Sequence, residues 1–374
     1  MSSEREALKA DFLAAHGLAG ARREPLAGDA STRSYERLYP EAKDGLAAAS
    51  LIFMDQPPSV ETAPCPPGAT LAERRALGFN ASYRLAAGRV DAFVACAGWL
   101  RAQGLSAPKL IAADPARGLA VLEDLGPDVY APIIAEGRAD EGLLYDTAVD
   151  VLLVVHAATP PKVLDYDGSS WPLLDYDGLA LESASDLFTD WLPKLKPEAA
   201  LNGAAITEWN ALWTPIRQRA EDGAAVFCLR DYHAENLIWL PQRDGPARVG
   251  LLDFQDAVRA HPAWDFSMLL HDARRDVSPE ITARCLERYL AARPEVDRAR
   301  FLEDFNALGA LNIVRILGIF SRLIVRDGKP RYAMFMPRLW RYLDACLASP
   351  GLEGLLAWFT CYVPPHARAT EARP

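Results

Sequence analysis

A polar loop held between two apolar runs is the feature that most restricts how this chain can fold. The segment LRDYHAENLIWL, residues 229–240, follows the apolar residues 226–228 and ends in the apolar residues 237–240. Short apolar runs on both sides of a polar cluster are typical of strand, loop and strand. The loop contains Asp231, His233 and Asn236, and polar groups between two buried strands need partners or a ligand. The segment therefore predicts a functional loop.

A second aspartate follows at a spacing that suits the same chemistry. Asp253, in VGLLDFQDAV, stands seventeen residues after Asn236. Two strands ending close together would bring Asp231, Asn236 and Asp253 to one end of a hairpin. One carboxylate can accept the proton of an attacking hydroxyl, while an amide oxygen and a second carboxylate are oxygen ligands for Mg²⁺. The trio predicts phosphoryl transfer, although each residue alone also suits an Asx-turn, a cap or a strand end.

Composition narrows the class of protein. A formal net charge of −10 disfavours a nucleic-acid binder, which needs a basic surface. The six cysteines are scattered without zinc spacing, so we expect reduced thiols. The first residues, MSSEREALKADF, are charged where a signal peptide is apolar, and no uncharged run reaches the roughly 20 residues of a membrane span. We expect a cytoplasmic protein without membrane contact and find no sign of an obligate protein partner.

The periodicity of the chain changes once along its length. After a helix over 5–18, period-two segments predict three strands within residues 23–55, a helix over 90–103 and two further strands within 107–126. The rest is mostly helical, interrupted only around the opening loop. We predict an α+β fold with a β-rich N-lobe, residues 1–124, and a larger helical C-lobe with a catalytic hairpin, residues 125–374. The predicted C-lobe helices lie within 142–159, 184–195, 207–220, 264–273, 280–292 and 301–325.

The chain resembles the aminoglycoside phosphotransferase-type kinases, which share the protein-kinase-like two-lobed fold, and is most similar to the bacterial anomeric kinases of cell-wall amino sugars. The stretches that carry the resemblance are LAGDASTRSYERL, FMDQPP, RDYHAENL, LLDFQDAV, DLFTDWL and GIFSRLIVRDGKPRY, which run from residue 26 to residue 332. The resemblance implies ATP and Mg²⁺ as cofactors, N-acetylmuramate or N-acetylglucosamine as the small-molecule acceptor, and a sugar 1-phosphate as the product.

The resemblance also implies roles for individual residues. Asp231 would be the catalytic base, and Asn236 and Asp253 would bind Mg²⁺. A phosphate-covering turn would consist of Gly28, Asp29, Ala30, Ser31 and Thr32.

Two departures from the kinase pattern concern the phosphates. The third strand, SLIFMDQPP, contains no phosphate-pairing lysine, and the helix over 90–103 contains no glutamate to pair with one. Arg33, beside the phosphate turn, could supply the missing charge as a planar fork, or it could be a solvated strand residue. Asp253 is followed by Phe254, as in protein kinases, and then by Gln255 in place of their glycine.

Supporting residues are expected around these groups. The segment AVLEDLG, with Glu123 and Leu125, could present the backbone groups that read adenine, or could simply end a strand. By resemblance, Asp265 in PAWDFSML supports the catalytic loop. His233 suits an orienting hydrogen-bond partner better than a base, and His156, on an apolar helical face, suits a satisfied core histidine.

Sugar-contacting residues are the least defined. ESASDLFTDWL is a candidate pocket wall, in which Asp186 could take hydroxyls while Phe188 and Trp191 stack on the ring, although an ordinary amphipathic helix fits as well. Arg315 and Arg322 stand seven apart and could meet the lactyl carboxylate of muramate, or could pair with surface carboxylates.

Two other functions fit parts of the pattern. An aminoglycoside-modifying kinase would need an acidic pocket for its polycationic substrates. A nucleotide-binding pseudokinase would explain the missing lysine, but it has no need of Asp231, Asn236 and Asp253 in register.

Overall fold

A computed structural model describes residues 3–26, 33–41, 49–57, 64–86, 89–199 and 201–369. The helices are α1 (Ser3–Ala15), α2 (Leu71–Leu77), α3 (Val90–Ala102), α4 (Tyr130–Ala135), α5 (Glu141–Ala157), α6 (Gly178–Leu195), α7 (Gly203–Asp222), α8 (Ala263–Leu270), α9 (Pro279–Ala292), α10 (Arg298–Val325), α11 (Met336–Leu347), α12 (Glu353–Tyr362) and α13 (Pro365–Arg368). The strands are β1 (Arg22–Leu26), β2 (Ser34–Tyr39), β3 (Leu51–Asp55), β4 (Leu110–Asp114), β5 (Leu119–Glu123), β6 (Val163–Tyr166), β7 (Ser169–Pro172), β8 (Val226–Cys228), β9 (Leu237–Trp239), β10 (Val249–Leu251) and β11 (Val258–Ala260).

The chain forms two compact units. The first unit consists of Met1–Ile133, Pro161–Leu173 and Glu235–Ala257, and the second of Ile134–Pro160, Leu174–Ala234 and Val258–Pro374. The first unit therefore combines segments from both sides of residue 124, where the sequence places the lobe boundary, whereas the second unit lies entirely after it. The chain passes from the second unit to the first between Ala234 and Glu235, within the polar loop.

An antiparallel sheet in the order β1-β2-β3-β5-β4 forms the body of the first unit. The five predicted strands and the predicted opening helix are confirmed. Helix α1 covers one face of the sheet, where Phe12, Leu13, Leu38 and Phe53 form an apolar cluster. Alternation along β2 and β3 leaves the opposite face to Tyr35, Arg37 and Ile52, which line a cavity described below.

Charged groups accompany the apolar cluster beneath α1. Asp55, at the end of β3 and only 1% exposed, accepts a hydrogen bond from Arg5 Nε at 3.0 Å. Lys9, also buried, lies 2.7 Å from a Glu36 carboxylate oxygen. The charged side chains of α1 therefore form ion pairs with carboxylates of β2 and β3 inside the unit.

A second hairpin of the first unit was not expected from the sequence. The chain from 125 onwards was predicted to be helical except around the polar loop, and this is wrong at β6 and β7, which pair antiparallel. The hairpin packs on α3, where a Cβ at Gly98 would come within 2.1 Å of the Tyr166 ring. Glycine at this position permits the close approach.

The second unit is helical around the short β8–β11 pair. Each predicted helix is present, and α10, 28 residues long, packs most extensively on α6. A Cβ at Gly318 would lie 2.4 Å from the backbone carbon of Leu187, so glycine is needed where the two helices touch. Helix α10 is the one described helix with the length and hydropathy of a membrane span, and 72% of its most apolar window is buried, as in the core helix of a soluble protein.

The sheet of the first unit and the helices of the second give the α+β class that the sequence predicts. The six cysteines all lie in the described residues and form no disulfide with one another, and five of them are buried.

Candidate active site

A cavity of about 430 Å³ lies within the first unit. One wall is the open face of the sheet, formed by Arg33, Tyr35 and Arg37 at alternate positions together with Ile52. Residues 122–127, which run from the end of β5 into the segment after it, also line the cavity. The volume lies within the range typical of small-molecule sites.

The segment after β5 is fixed by side-chain hydrogen bonds. Asp124 accepts bonds from Arg37 Nε at 2.7 Å, Ser50 Oγ at 2.8 Å and the backbone N–H of Gly126 at 2.9 Å. Burial raises the pKa of Asp124, but the bonds from Arg37 and Gly126 outweigh burial and hold the pKa below its usual range. The segment is thereby tied to β2.

The two residues predicted within this segment are placed differently. Leu125 is buried against Ile238 and Leu240, so it forms part of the cavity's apolar lining. Glu123 accepts hydrogen bonds from Arg243 Nη2 at 2.6 Å and from the backbone N–H of Lys109 at 3.0 Å. The side chain of Glu123 is thus committed to protein partners.

Asn236 and Asp253 line the same cavity. The β9–β10 hairpin brings them together, because Asn236 precedes β9, Asp253 follows β10 closely, and the Leu252 N–H donates to the Asn236 carbonyl at 3.0 Å. Asp253 has a φ of +55°, in the left-handed region that non-glycine residues rarely adopt. Such strain is concentrated at functional sites.

The donor set at this hairpin fits a magnesium ion. A carboxylate and an amide oxygen are hard ligands, and Mg²⁺ is usually held by one or two protein carboxylates, with water and substrate phosphates completing its octahedron. Among the described residues, no group of three or more His, Cys, Asp or Glu side chains forms a self-sufficient metal cage. The arrangement suits a metal that arrives with a phosphate ligand.

Arg33 lies beside Asp253. Arg33 Nη2 donates to Asp253 Oδ1 at 2.7 Å, and Nη1 donates to Gln255 Oε1 at 2.9 Å. Arg33 is 8% exposed, so the interpretation as a solvated strand residue is wrong. Burial raises the pKa of Asp253, but the Arg33 charge and the Gln255 hydrogen bond outweigh it and keep the pKa low.

Asp265, which is fully buried at the start of α8, supports the backbone that leads into the polar loop of the second unit. Its carboxylate accepts the backbone N–H of Leu229 at 2.9 Å, the backbone N–H of Arg230 at 2.8 Å and the Cys228 thiol at 3.1 Å. Arg230 has a φ of +72°, so this support acts on a strained residue directly before Asp231. The predicted supporting role of Asp265 is confirmed.

Asp231 is half-buried and His233 is buried. His156, predicted to be a satisfied core histidine, contacts the Tyr289 hydroxyl through Nδ1 at 3.0 Å and Asp265 through Nε2 at 3.3 Å. Burial lowers the pKa of His156, which favours the neutral ring.

The candidate sugar residues on α6 have mixed environments. Phe188 is fully buried and stacks on Trp209 with ring centroids 5.3 Å apart, so the idea that Phe188 stacks on a sugar is wrong. Trp191 is half-buried beneath the Lys194 ammonium at 4.1 Å. Burial raises the pKa of Asp186 to about 6.

The two candidate arginines lie on α10. Arg315 is 5% exposed, donates to Asn312 Oδ1 at 2.8 Å and lies over the Trp264 ring. Arg322, seven residues further along the same helix, is half-buried. The predicted phosphate turn, Gly28 to Thr32, lies outside the described residues.

Among the polar side chains in or beside the cavity, sequence reasoning missed Tyr35, Arg37, Asp124 and Gln255. A strand alternates its faces, so accepting Arg33 as a cavity residue would have indicated Tyr35 and Arg37. The replacement of the kinase glycine was the signal for Gln255. No sequence signal identified the Arg37–Asp124 ion pair, which joins residues 87 positions apart.

The sequence of this chain is similar to a phosphotransferase family and to two kinases of that type. A model of the phosphotransferase enzyme family matches residues 22–302. The chain is 67% identical over 368 residues to an N-acetylmuramate/N-acetylglucosamine kinase of Caulobacter vibrioides, covering 98% of this chain and 99% of the relative. A protein of the same description from Pseudomonas aeruginosa is 29% identical over 330 residues, covering 87% and 83% of the two chains.

Among solved structures, a choline kinase from Streptococcus pneumoniae superposes with a TM-score of 0.56 at 13% identity, covering 93% of this chain and all of that one. A choline/ethanolamine kinase family protein from Mesorhizobium loti gives 0.55 at 15% identity, covering 95% and 98%. At these identities the likeness shows the fold alone, and the predicted α+β, protein-kinase-like class is confirmed.

Proposed function

This chain belongs to the phosphotransferase enzyme family and is an ATP-dependent sugar kinase, and we propose that it transfers the γ-phosphate of ATP to the anomeric hydroxyl of N-acetylmuramate or N-acetylglucosamine. The observation that carries the proposal is the 67% identity, over nearly the whole of both chains, to a relative described as a kinase of these two sugars. The product would be a sugar 1-phosphate, as expected for recycling of cell-wall sugars in the cytoplasm.

The cavity of the first unit would hold the nucleotide. Residues 122–127 of its lining offer backbone groups and the buried Leu125 side chain for adenine, and Asn236 and Asp253 line the same cavity. These two residues would hold Mg²⁺, which neutralises charge on the transferring phosphate. The predicted turn of Gly28 to Thr32 would cover the phosphates.

Arg33 would take the place of the missing lysine. The next pocket-facing charge, Arg37, is bonded to Asp124, whereas Arg33 is buried beside a proposed metal ligand. A guanidinium carries five N–H donors and suits the bidentate geometry of a phosphate. Arg33 therefore has the charge and the donor groups to hold the α- or β-phosphate.

Asp231 would accept the proton of the sugar hydroxyl as that oxygen attacks phosphorus. The backbone around Asp231 is fixed in two ways. The Asp231 N–H donates to the Leu229 carbonyl at 2.9 Å, and the Asp265 carboxylate accepts the N–H groups of Leu229 and Arg230. A rigid loop keeps the base within reach of the acceptor and saves the cost of ordering it. His233 would orient the acceptor or the loop.

The sugar would be bound by residues of the second unit. Asp186, Trp191, Arg315 and Arg322 stay as candidates, and the half-buried Trp191 and Arg322 have the accessible surface that stacking and carboxylate binding need. We propose that the functions divide near residue 124, with the nucleotide-binding sheet before it and the catalytic loop, the metal ligands and the acceptor groups after it. The hairpin 235–257, which belongs to the first unit, would supply the metal ligands.

A product assay tests the proposal. Purified protein with ATP and Mg²⁺ is offered N-acetylmuramate, N-acetylglucosamine and, as a control, a kanamycin-type aminoglycoside. An anomeric phosphate is acid-labile and leaves the sugar unable to reduce, whereas phosphate on any other hydroxyl leaves a reducing sugar. Phosphorylation of the aminoglycoside alone would make the chain an aminoglycoside kinase, and nucleotide binding without turnover on any acceptor would make it a pseudokinase.

A further inference from the structure

Gln255 occupies the position where protein kinases have a glycine, two residues after the metal-binding aspartate. Its side chain is 1% exposed. Gln255 Oε1 accepts a hydrogen bond from Arg33 Nη1 at 2.9 Å, and Gln255 Nε2 donates to Asp253 Oδ1 at 2.8 Å. With the Arg33–Asp253 bond of 2.7 Å, the three side chains form a closed ring of hydrogen bonds.

The orientation of the Gln255 amide follows from its neighbours. A guanidinium only donates, and an ionised carboxylate only accepts. Turning the amide over would set Nε2 against Arg33 and Oε1 against Asp253, which replaces two attractions by two repulsions. The amide therefore has one favourable orientation.

Both bonds to Asp253 fall on the same oxygen. Oδ1 receives Arg33 and Gln255, while Oδ2 receives no hydrogen bond from any of the described residues. A carboxylate with one oxygen occupied by two donors cannot rotate freely about χ2. The ring thus leaves the second oxygen as the one available for a metal.

The backbone on both sides of Gln255 is anchored. Phe254, 1% exposed, stacks on Phe93 of α3 with ring centroids 4.9 Å apart. Asp256, 6% exposed, accepts a hydrogen bond from Arg84 Nε at 2.7 Å. The Gln255 amide is therefore held from its backbone as well as from its side-chain partners.

We propose that Gln255 is a positioning residue that presents Asp253 to the metal through Oδ2 and holds Arg33 beside it. Without the amide, Arg33 and Asp253 could form a two-bond fork that occupies both carboxylate oxygens. Gln255 takes the Nη1 donor of Arg33 and so prevents that fork. The inference rests on the proposed function, in which Asp253 and Asn236 bind the Mg²⁺ of Mg·ATP.

The test measures metal binding without turnover. Mn²⁺, which reports its free concentration by electron paramagnetic resonance, is titrated into the full chain saturated with a non-hydrolysable ATP analogue. Gln255→Met keeps the length of the side chain but removes both hydrogen bonds, and Gln255→Asn keeps the amide but is too short to reach both partners. The matched control is Gln218→Met, because Gln218 also donates to a carboxylate, Asp222 Oδ1 at 3.0 Å, on the exposed surface of α7.

The Mn²⁺ dissociation constant should rise about 10- to 100-fold in both Gln255 variants, as expected for loss of a hydrogen bond to a charged group, and by less than about twofold in the control. Binding of the analogue in excess chelator should change by less than about threefold, because Arg33 keeps its charge and its own bond to Asp253 in these variants. Thermal unfolding shows which of the two Gln255 variants is folded, and the Mn²⁺ constant of a folded variant decides the test.

Two results would overturn the inference. An unchanged Mn²⁺ constant in a folded Gln255 variant would show that the ring does not position Asp253. If the Gln255 variants weaken analogue binding equally with and without metal, Gln255 affects only the shape of the cavity and does not position the metal ligand. A wild-type chain that binds Mn²⁺ with the analogue but phosphorylates neither sugar would refute the proposed function and leave this inference standing.

Discussion

Asp265 Oδ1 accepts the backbone N–H of Arg230 at 2.8 Å, one residue before Asp231. The second oxygen accepts the Leu229 N–H at 2.9 Å, so one buried carboxylate fixes two consecutive peptide groups. Hydrogen bonds to a buried charge are stronger than those between neutral groups. The position of the proposed base therefore depends on a side chain 34 residues later in the sequence.

Replacing Asp265 by Asn should destabilise the protein and slow the reaction. An amide keeps the shape but has one accepting oxygen for two backbone donors, and its NH₂ group would face one of them. We expect the free energy of unfolding to fall by about 2–4 kcal/mol, measured by urea denaturation. The control is Asp175→Asn, whose exposed pair with Arg259 should contribute at most about 1 kcal/mol. Equal effects in the two variants would contradict the supporting role.

Replacing Asp231 by Asn tests the base. The amide has nearly the same size but cannot accept the hydroxyl proton, so turnover should drop by about 10² to 10⁴ with little change in ATP affinity. Initial rates at saturating sugar, together with calorimetric ATP binding, separate the two quantities. Asp222→Asn, on the surface of α7, serves as the control. A variant that keeps more than about a third of wild-type turnover would remove Asp231 from the mechanism.

Alanine at the proposed metal ligands should raise the Mg²⁺ concentration required for activity. Asp253→Ala should be the more harmful change, because a carboxylate neutralises charge that the Asn236 amide cannot. The Mg²⁺ dependence of the rate, measured at fixed ATP, gives the order of the two effects. Ordinary activity of Asp253→Ala at low millimolar Mg²⁺ would contradict the assignment.

The sequence predicted most helices and strands correctly because alternation and helical periodicity are local patterns, and a local spacing also singled out the candidate catalytic residues. Alternation identified β1 to β5, and the D-x-x-x-x-N spacing with LDF identified Asp231, Asn236 and Asp253. The β6–β7 hairpin escaped because its four-residue strands, VLDY and SSWP, carry too short an alternation. The hairpin is stabilised by its packing on α3, which no local pattern records.

The environment of side chains was harder to predict. Phe188 and Arg315 were given possible surface roles, yet both are buried, since α6 is covered by α7 and α10 and since Arg315 lies over Trp264. The sequence leaves two interpretations of Arg33 open, because its partners Asp253 and Gln255 lie 220 and 222 residues away along the chain. Partners at such separations are set by tertiary packing.

Stability should fall in mild acid through His271. Burial lowers the pKa of His271 to about 4, since the ring lies against Phe305, Cys346 and the Cα of Gly309. Below pH 6.5 the His271 ring is protonated in the unfolded chain but stays neutral in the folded chain. The free energy of unfolding therefore decreases as the pH falls from 6.5 to about 4. The slope from this one group is about 1.4 kcal/mol per pH unit.

His271→Gln should remove that part of the acid sensitivity. Urea denaturation at pH 7.5 and pH 5 gives the difference for each protein, and the variant's difference should be smaller by about 1–2 kcal/mol. Replacing the exposed His366 in the same way should leave the wild-type difference unchanged. An identical pH dependence of His271→Gln and wild type would show that the ring is not held neutral.

The last prediction concerns the charge that stands in for the missing lysine. If the Arg33 guanidinium holds a phosphate, Arg33→Ala should raise the KM for ATP by roughly 10- to 150-fold, the equivalent of about 1.5–3 kcal/mol for a hydrogen bond to a charged group. Arg33→Lys keeps the charge but loses the fork, because a single ammonium cannot reach a phosphate while also holding Asp253 and Gln255 in the arrangement seen here. We therefore expect Lys to recover part of the ATP affinity. Arg23→Ala, which breaks an ion pair with Glu36 beneath α1, controls for general weakening of the sheet. ATP kinetics that match wild type in Arg33→Ala would leave Arg33 with a purely structural role beside Asp253.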